Sequence, residues 1–479
     1  MARNNNQAMN DLIQNQNNAH HEQTIVAQCT PQGAGAIAMI RLSGIDAVTV
    51  ADRMAKLPAS KKLSEQKSHT IHYGFVADVH GQHIDQVLFL LMRAPHTFTG
   101  QDVVEITGHN NQFLVEAIID RALQCGARLA TNGEFTQRAV ELGKMDLVQA
   151  EAMNDLIHAQ TAESLKYSLS QLQGSFSCWI ATIEQTVIEM LAFCEGSFEF
   201  LDEEGIEFID DIKIKMTGVI EKIETLLQTY SKQQYIKDGI RIALVGSVNV
   251  GKSSLFNCLV NKKRSIVTEI AGTTRDIVES GVYKNSGFLT FVDTAGIRQT
   301  DDRIEKEGID RSLQEVIDAD IVLLVIGGSV QLSQDQIAEY EKFLKMYGSK
   351  IIIVQNKMDL SGVIDVVELL NLGSNIPLVQ ISAKNSLNIE KLHQVLEQKM
   401  QELKGSGQVT CLLNQRQYTL LSTFFNQLKN IVPMLEHPVD YELVSYRLRE
   451  SLQSLSEVSG RSVSEAALNQ VFKSFCVGK

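Results

Sequence analysis

The spacing of apolar residues changes character along the chain, and each change predicts a different kind of structure. From Thr24 to about residue 141, apolar residues alternate or come in short runs, the pattern of strands. Thr24–Cys29 and Ala36–Leu42 predict two strands around the turn-rich joint Pro31-Gln32-Gly33-Ala34-Gly35, whose glycines read as turn geometry. His69–Ala77 and Ile84–Arg93 predict a second pair, and Asp102–Thr107 a further strand followed by the helical run Phe113–Leu123. Residues 24–141 therefore predict a small α/β domain. Over 142–235 the period becomes helical, with Trp179, Ile183, Val187, Met190, Leu191 and Cys194 recurring at threes and fours. That stripe reads as helix-bundle core rather than a cofactor box. Over 236–402 apolar strands alternate with helical segments, the signature of a mostly parallel sheet. Past the linker-like Lys404–Gln408 the helical period returns in 403–479. There Leu421, Phe424, Phe425, Leu428, Ile431 and Val432 form one face, and Val444, Leu448, Leu452 and Leu455 another. The predicted architecture is an α/β domain inserted into a helical bundle built from both flanks; two separate bundles are the alternative.

Composition adds exclusions. Residues 1–23, rich in Asn and Gln, read as a disordered polar tail without an apolar signal core. The longest apolar runs, Val87–Met92 and Ile321–Ile326, are far too short to span a bilayer, so no membrane role and a cytoplasmic location are expected. Seven cysteines with no paired spacing argue for a reducing compartment. A net charge of −13 weakens any reading based on a generally basic nucleic-acid surface, while leaving room for a local patch. The acidic cluster Asp202-Glu203-Glu204 reads as a solvated turn, because neighbours in sequence do not converge on one ion.

The chemistry concentrates in the inserted domain. Arg241–Val245 runs into Gly246 and, after four residues, Gly251-Lys252-Ser253, a pattern in which backbone N–H groups and a helix N-terminus face a phosphate. Asn249, Val250, Gly251, Lys252, Ser253 and Ser254 should line that site, with the Ser253 hydroxyl on Mg²⁺. Asn356-Lys357-Met358-Asp359 follows the apolar run Ile351–Val354, and Asp293-Thr294-Ala295-Gly296 follows Phe288–Val292. Both clusters thus fall at C-terminal strand ends, where open α/β sheets bind ligands. Asp359 can accept hydrogen bonds from the N1–H and 2-amino group of guanine, and adenine offers neither, so the nucleotide is read as GTP. Ser382-Ala383-Lys384 matches the loop that touches the guanine carbonyl in Ras-like GTPases, which this segment resembles.

Hydrolysis needs a group that orients water. Many Ras-like proteins use a Gln directly after Asp-Thr-Ala-Gly, but Ile297 stands there in this chain. Glu305, on the segment Arg298–Gly308, is the best-placed candidate by proximity to this switch; beside Lys306, it also reads as an ordinary surface carboxylate. Thr273 and Thr274 in Gly272-Thr273-Thr274-Arg275-Asp276 offer a second Mg²⁺ hydroxyl. The Asn249 amide could coordinate a monovalent cation in place of an arginine finger.

Taken with the flanks, these residues resemble the MnmE (TrmE) family of tRNA-modifying GTPases. The resemblance rests on Thr24–Gln28, Ile40–Gly44, Phe98–Asp102, Gly133–Thr136, Gly143–Ala152, Ile270–Asp276 and the terminal Phe475-Cys476-Val477-Gly478-Lys479, nearly the whole chain after the tail. It implies an N-terminal folate-binding dimerisation domain, a discontinuous helical bundle and an inserted Ras-like P-loop GTPase domain. It also implies a homodimer acting with an MnmG-type FAD protein and NADH on C5 of the wobble uridine (U34) of certain tRNAs. There a carboxymethylaminomethyl or aminomethyl group is installed, with nitrogen from glycine or ammonium. The one-carbon unit comes from 5-formyltetrahydrofolate or methylenetetrahydrofolate, held in the family by residues matching Arg41, Glu105, Lys144 and Lys479. The catalytic glutamate maps to Glu305, Mg²⁺ to Ser253 and Thr274, and K⁺ to Asn249, Thr268, Ile270 and Thr273. Nucleotide contacts extend over Thr268-Glu269-Ile270-Ala271-Gly272. GTP and K⁺ bring two nucleotide domains face to face in the family, and hydrolysis releases them.

This chain departs from the pattern at several points. Val248 and Asn132 stand in place of prolines, Ala34 in place of an arginine, Asn110-Asn111 in place of glycines, and Gly327 in place of an acidic residue. Cys476 reads as a catalytic or a buried thiol, since Gly478-Lys479 and the lack of a polybasic stretch argue against prenylation. The competing class is a ribosome-assembly GTPase of the Era or Der type. Such proteins carry a basic RNA-binding domain or a second phosphate loop, and the sequence has neither. A membrane-remodelling GTPase would need a lipid-seeking helix, which is also absent.

Overall fold

The computed structural model describes residues 23–33, 35–199, 209–247, 249–260, 267–268, 278–284, 287–293, 314–328, 334–360, 376–405, 409–436 and 439–478. Two compact units emerge. One comprises 1–154, 171–219 and 420–479, and the other 155–170 and 220–419.

The first unit opens with the predicted antiparallel pair, β1 (Ile25–Gln28) against β2 (Ile37–Ser43). After helix α1 (Ala47–Met54) come β3 (Ala55–Lys56), β4 (Thr70–Ala77), β5 (His83–Met92) and β6 (Val103–His109). Helix α2 (Gln112–Gln124) and β7 (Arg128–Leu129) follow, and the strands order as β3-β4-β5-β6-β2-β1-β7. Because side chains alternate across a pleated sheet, one face buries Ile40, Ile106 and Phe89 against α1 and α2. The other face aligns Arg41, Glu105, Leu90 and Ile71 in one cross-strand row and Met39, Thr107, Leu88 and Tyr73 in the next.

Helix α3 (Glu134–Glu141) is anchored by charge as well as by the buried Phe135 and Ala139. The Glu134 carboxylate accepts from Arg128 at 2.8 and 2.5 Å, from Arg138 at 2.9 Å and from the Thr131 N–H at 3.0 Å. Arg138, only 1% exposed, also donates to Gln101 and to the Gln23 carbonyl. Helices α4 (Leu147–His158), α5 (Ala162–Leu172) and α6 (Ser175–Glu199) come next. In α6 the core side is Phe176, Ile180, Ile183, Val187, Met190 and Cys194, whereas Trp179 and Leu191 of the predicted stripe sit half-buried at its margins.

Helices α7 (Ile209–Gln228) and α8 (Tyr230–Lys237) precede the second sheet. It is built from β8 (Ile240–Val245), helix α9 (Lys252–Val260), β9 (Val267–Thr268), β10 (Val278–Lys284), β11 (Gly287–Asp293), β12 (Ile321–Gly327), helix α10 (Gln334–Tyr347), β13 (Ile351–Asn356), β14 (Leu378–Gln380) and helix α11 (Ile389–Lys404). The order is β14-β13-β12-β8-β11-β10-β9, parallel from β14 to β11 and antiparallel beyond. Every residue of β12 and β13 is buried, as the apolar runs Ile321–Ile326 and Ile351–Val354 require of parallel strands covered on both faces. Helices α9 and α11 cover one face, and α10 packs on the other.

The chain then returns to the first unit through α12 (Gln415–Ile431), α13 (Tyr441–Ser459) and α14 (Glu465–Phe472). Helix α13 packs along α6, with Arg449 on Glu195 at 2.6 Å and Arg461 on Glu184 at 2.7 Å. Segments before and after the inserted sheet thus form one bundle, and the alternative of two separate bundles is excluded.

The Glu134 cluster has a pH signature. Burial alone would raise this carboxyl, but the Arg128 hydrogen bonds, the Thr131 N–H and both arginine charges bring it from 4.5 down to about 2. Its stabilisation is therefore complete above the unfolded-state value and fades as pH falls from about 4.5 towards 2. Glu134→Gln should cost about 3 kcal/mol near neutral pH, with the gap to wild type narrowing below about pH 4.5 in thermal or denaturant unfolding. A gap independent of pH would contradict it.

Candidate functional site

The phosphate loop leaves β8 at Gly246, whose φ of +155° lies in glycine's range; a Cβ there would sit 2.2 Å from the Val325 carbonyl oxygen. At the other end Gly251 (φ +96°) leaves room for the Asn356 side chain, 2.3 Å from where a Cβ would be. Between them Asn249 takes a left-handed φ of +64°. Helix α9 starts at Lys252, so its free N–H groups and dipole open onto the loop. The Lys252 ammonium folds back over the loop, donating to the Gly246 and Ser247 carbonyls at 2.5 and 2.8 Å. Ser253 and Ser254 are exposed at the mouth of the loop.

Asn356, at the end of β13 and 2% exposed, ties three loops together. Its amide donates to the Val250 carbonyl at 2.9 Å, and its oxygen accepts from the Ala383 N–H at 2.9 Å. Lys357 turns with φ +67°, and Met358 N–H donates to Ile381. Exposed Asp359 accepts from the Ser382 hydroxyl at 2.7 Å, which with its own N–H holds the carboxyl below the usual range. Lys384 is exposed beside them. The phosphate-loop residues described, Asn356–Asp359 and Ser382–Lys384 therefore converge on the C-terminal edge of one sheet. Asp293 ends β11 on the same edge, in register with Leu244, and Thr268 lies in the edge strand β9. Glu269–Asp276, among them Ile270, Thr273, Thr274, Arg275 and Asp276, together with Thr294–Gly296 and Glu305, lie outside the described residues. The described set suits a nucleotide: a glycine-lined cradle, a helix N-terminus, a lysine resting on carbonyls and a carboxylate at the far end. Ser253 could hold Mg²⁺ through its hydroxyl.

The N-terminal charges form a second constellation. Arg41 and Glu105 are register partners, and the guanidinium meets Glu105 Oε1 at 2.8 Å through both Nε and Nη2. The Phe98 and Phe135 rings flank the guanidinium at 5.4 and 5.5 Å. Phe135 rides on α3, so the Glu134 cluster also fixes this pair. Lys144 donates to the Pro95 carbonyl at 2.6 Å, in the loop that delivers Phe98. Lys479 is outside the described residues, but the chain end before it is held. The Asn132–Val477 bridge, Gly133 N–H on the Cys476 carbonyl at 3.3 Å and the Cys29 thiol on the Gly478 carbonyl at 3.1 Å fix it beside β1. Cys476 itself is exposed. A cavity of about 640 Å³ opens between β1, α2, β7 and Val477; Arg41, Glu105 and Lys144 are not among its walls.

Sequence reasoning did not single out Phe98 and Phe135 as partners of Arg41, nor the Cys29 contact with the chain end 449 positions away. The first had a weak signal in the aromatic residues of Phe98–Asp102 and Gly133–Thr136; the second had none. Two departures acquire a physical role. Asn111 caps α2 by accepting from the Phe113 N–H at 3.0 Å, and Asn110 donates to the Gly33 carbonyl at 2.9 Å. Asn132 donates towards the Lys473 carbonyl, where a proline could not. Nothing in the structure explains Gly327.

Residues 24–144 match the family model described as GTP-binding protein TrmE N-terminus, and residues 147–476 match that of the MnmE helical domain. The chain is 38% identical over 462 residues to the tRNA modification GTPase MnmE of Bacillus pumilus, covering 95% of this chain and 100% of that protein. Over 460 residues it is 36% identical to the protein of the same name from Bacillus subtilis, with the same coverage. A third relative, from Listeria welshimeri, is 37% identical over 461 residues, covering 95% and 99%. Among the described residues no helix is long and apolar enough to cross a membrane.

Proposed function

This chain belongs to the MnmE (TrmE) family of tRNA modification GTPases, and from that premise we propose that it modifies C5 of the wobble uridine of certain tRNAs. In this reading it works as a homodimer with an MnmG-type FAD protein. A folate one-carbon unit and glycine or ammonium build the aminomethyl or carboxymethylaminomethyl group. The folate module is 24–141, and the nucleotide module 236–402 is inserted between helical arms 142–235 and 403–479.

The observation that carries the proposal is the row Arg41–Glu105–Leu90–Ile71 on the open face of the N-terminal sheet. Ile71, Tyr73 and Leu88 on that face are 64, 45 and 42% exposed, an apolar surface of the kind that a second copy covers. A pterin offers an N–H edge suited to Glu105, and its anionic glutamate tail suits Arg41, Lys144 or Lys479. The open face, not the walled cavity beside β1, is thus where the folate reading puts the one-carbon donor.

In the nucleotide module, Lys252 leaves its carbonyl perch for the phosphates, and Asp359 reads the guanine edge with Ser382-Ala383-Lys384 closing over it. Ser253 and Thr274 would hold Mg²⁺, which would supply charge neutralisation for the phosphates, and Asn249, Thr268, Ile270 and Thr273 would hold K⁺. Glu305 orients the attacking water.

Mass spectrometry of tRNA nucleosides tests the reading. Cells lacking this chain should lose the C5 group on wobble uridine, and Glu105→Ala should fail to restore it; unchanged nucleosides would overturn the proposed modification. Asp359→Asn should weaken GTP by about 100-fold relative to xanthosine triphosphate, because the amide donates where the carboxylate accepted. Unaltered base preference in a competition assay counts against this pocket. GTP hydrolysis should run faster in K⁺ than in Na⁺ buffer, and equal rates would remove the cation from the mechanism.

A further inference from the structure

None of the nucleotide motifs includes Tyr340, yet it touches the phosphate loop. Its ring lies on α10 with Phe343 and Tyr347, packed against the cluster that buries Ala243 and Leu324. Its hydroxyl comes within 2.7 Å of Ser247 Oγ. Ser247 is the second residue of the loop, and its carbonyl is one of the two that hold the Lys252 ammonium. A continuous line of contacts therefore runs from a rigid apolar cluster, through two hydroxyls, to the lysine that meets the phosphates.

The loop needs such an anchor. From Gly246 to Gly251 it contains two glycines and no proline, Asn249 and Gly251 both sit at positive φ, and Asn356 holds its far end at Val250, so the near end at Ser247 gains from a hold of its own. Ordering an unrestricted loop at the moment of binding would cost conformational entropy that an anchored loop has already lost. We propose that Tyr340 is a positioning residue for the nucleotide phosphates. By pinning Ser247 it pre-orders the backbone N–H groups of the loop and fixes the perch from which Lys252 moves. It acts through Ser247 and leaves the base end of the cleft alone.

Full-length Tyr340→Phe keeps the ring in its cluster and removes only the hydroxyl. Loss of one neutral hydrogen bond should speed release of N-methylanthraniloyl-GDP about three- to tenfold. The preference for GTP over ATP and the unfolding temperature without nucleotide should stay at wild-type values. Ser247→Ala should reproduce the effect from the other partner, and the double variant should be no worse than either single one. Wild-type release rates in both single variants, a double variant whose loss is the product of the two, or an altered base preference would each overturn the proposal.

Discussion

The nucleotide module depends on one buried amide. Asn356 can bridge Val250 and Ala383 only because β13 ends beside two loops that leave the sheet on the same edge, and the parallel order β14-β13-β12-β8 puts them there. A buried amide left without partners is costly, so the phosphate loop and the Ser382 loop are locked to each other through that side chain. Gly251 has no side chain because Asn356 occupies its space, and Gly246 has none because the β12 carbonyl at Val325 does. Binding geometry and fold geometry are thus the same constraint seen from two ends.

The N-terminal sheet solves a different problem. A charged pair on a mostly apolar face must be held while only partly exposed, and Arg41 is held by rings on both sides and by Glu105 across the strand pair. The helix supplying one ring is itself anchored by a carboxylate shared between two arginines, one of them almost fully buried. Rigidity at this partly buried pair is thereby borrowed from a network set deeper in the same unit. The chain end joins this unit through the Cys29 thiol and the Asn132 bridge, which brings the last residues back beside the first strand.

Much of this was readable from the chain. The alternating runs at Thr24–Leu42 and His69–Arg93 became antiparallel pairs in the predicted places, because a half-covered sheet imposes a period of two. The helical stripe around Ile183 was also correct in kind. It extends back to Phe176 and Ile180 and leaves Trp179 and Leu191 at its margins, since several helices compete for one core and periodicity cannot rank its edges. In the sequence, Asn110, Asn111 and Asn132 stand out only as departures from glycines and a proline. They prove to be a helix cap and two contacts to backbone carbonyls, each depending on a partner whose position the sequence does not display.

By itself the sequence determined the class of chemistry and the order of parts. Spacing within the phosphate loop, Asn356–Asp359 and Ser382–Lys384 is a local property, and local backbone physics makes such spacing legible. Only the tertiary structure decided which residues act together across distance: that the helices on both flanks make one bundle, that Phe98 and Phe135 clasp Arg41, and that Tyr340 reaches Ser247. Those pairings are set by packing among elements far apart in the chain, and packing leaves no period in the sequence from which to read it.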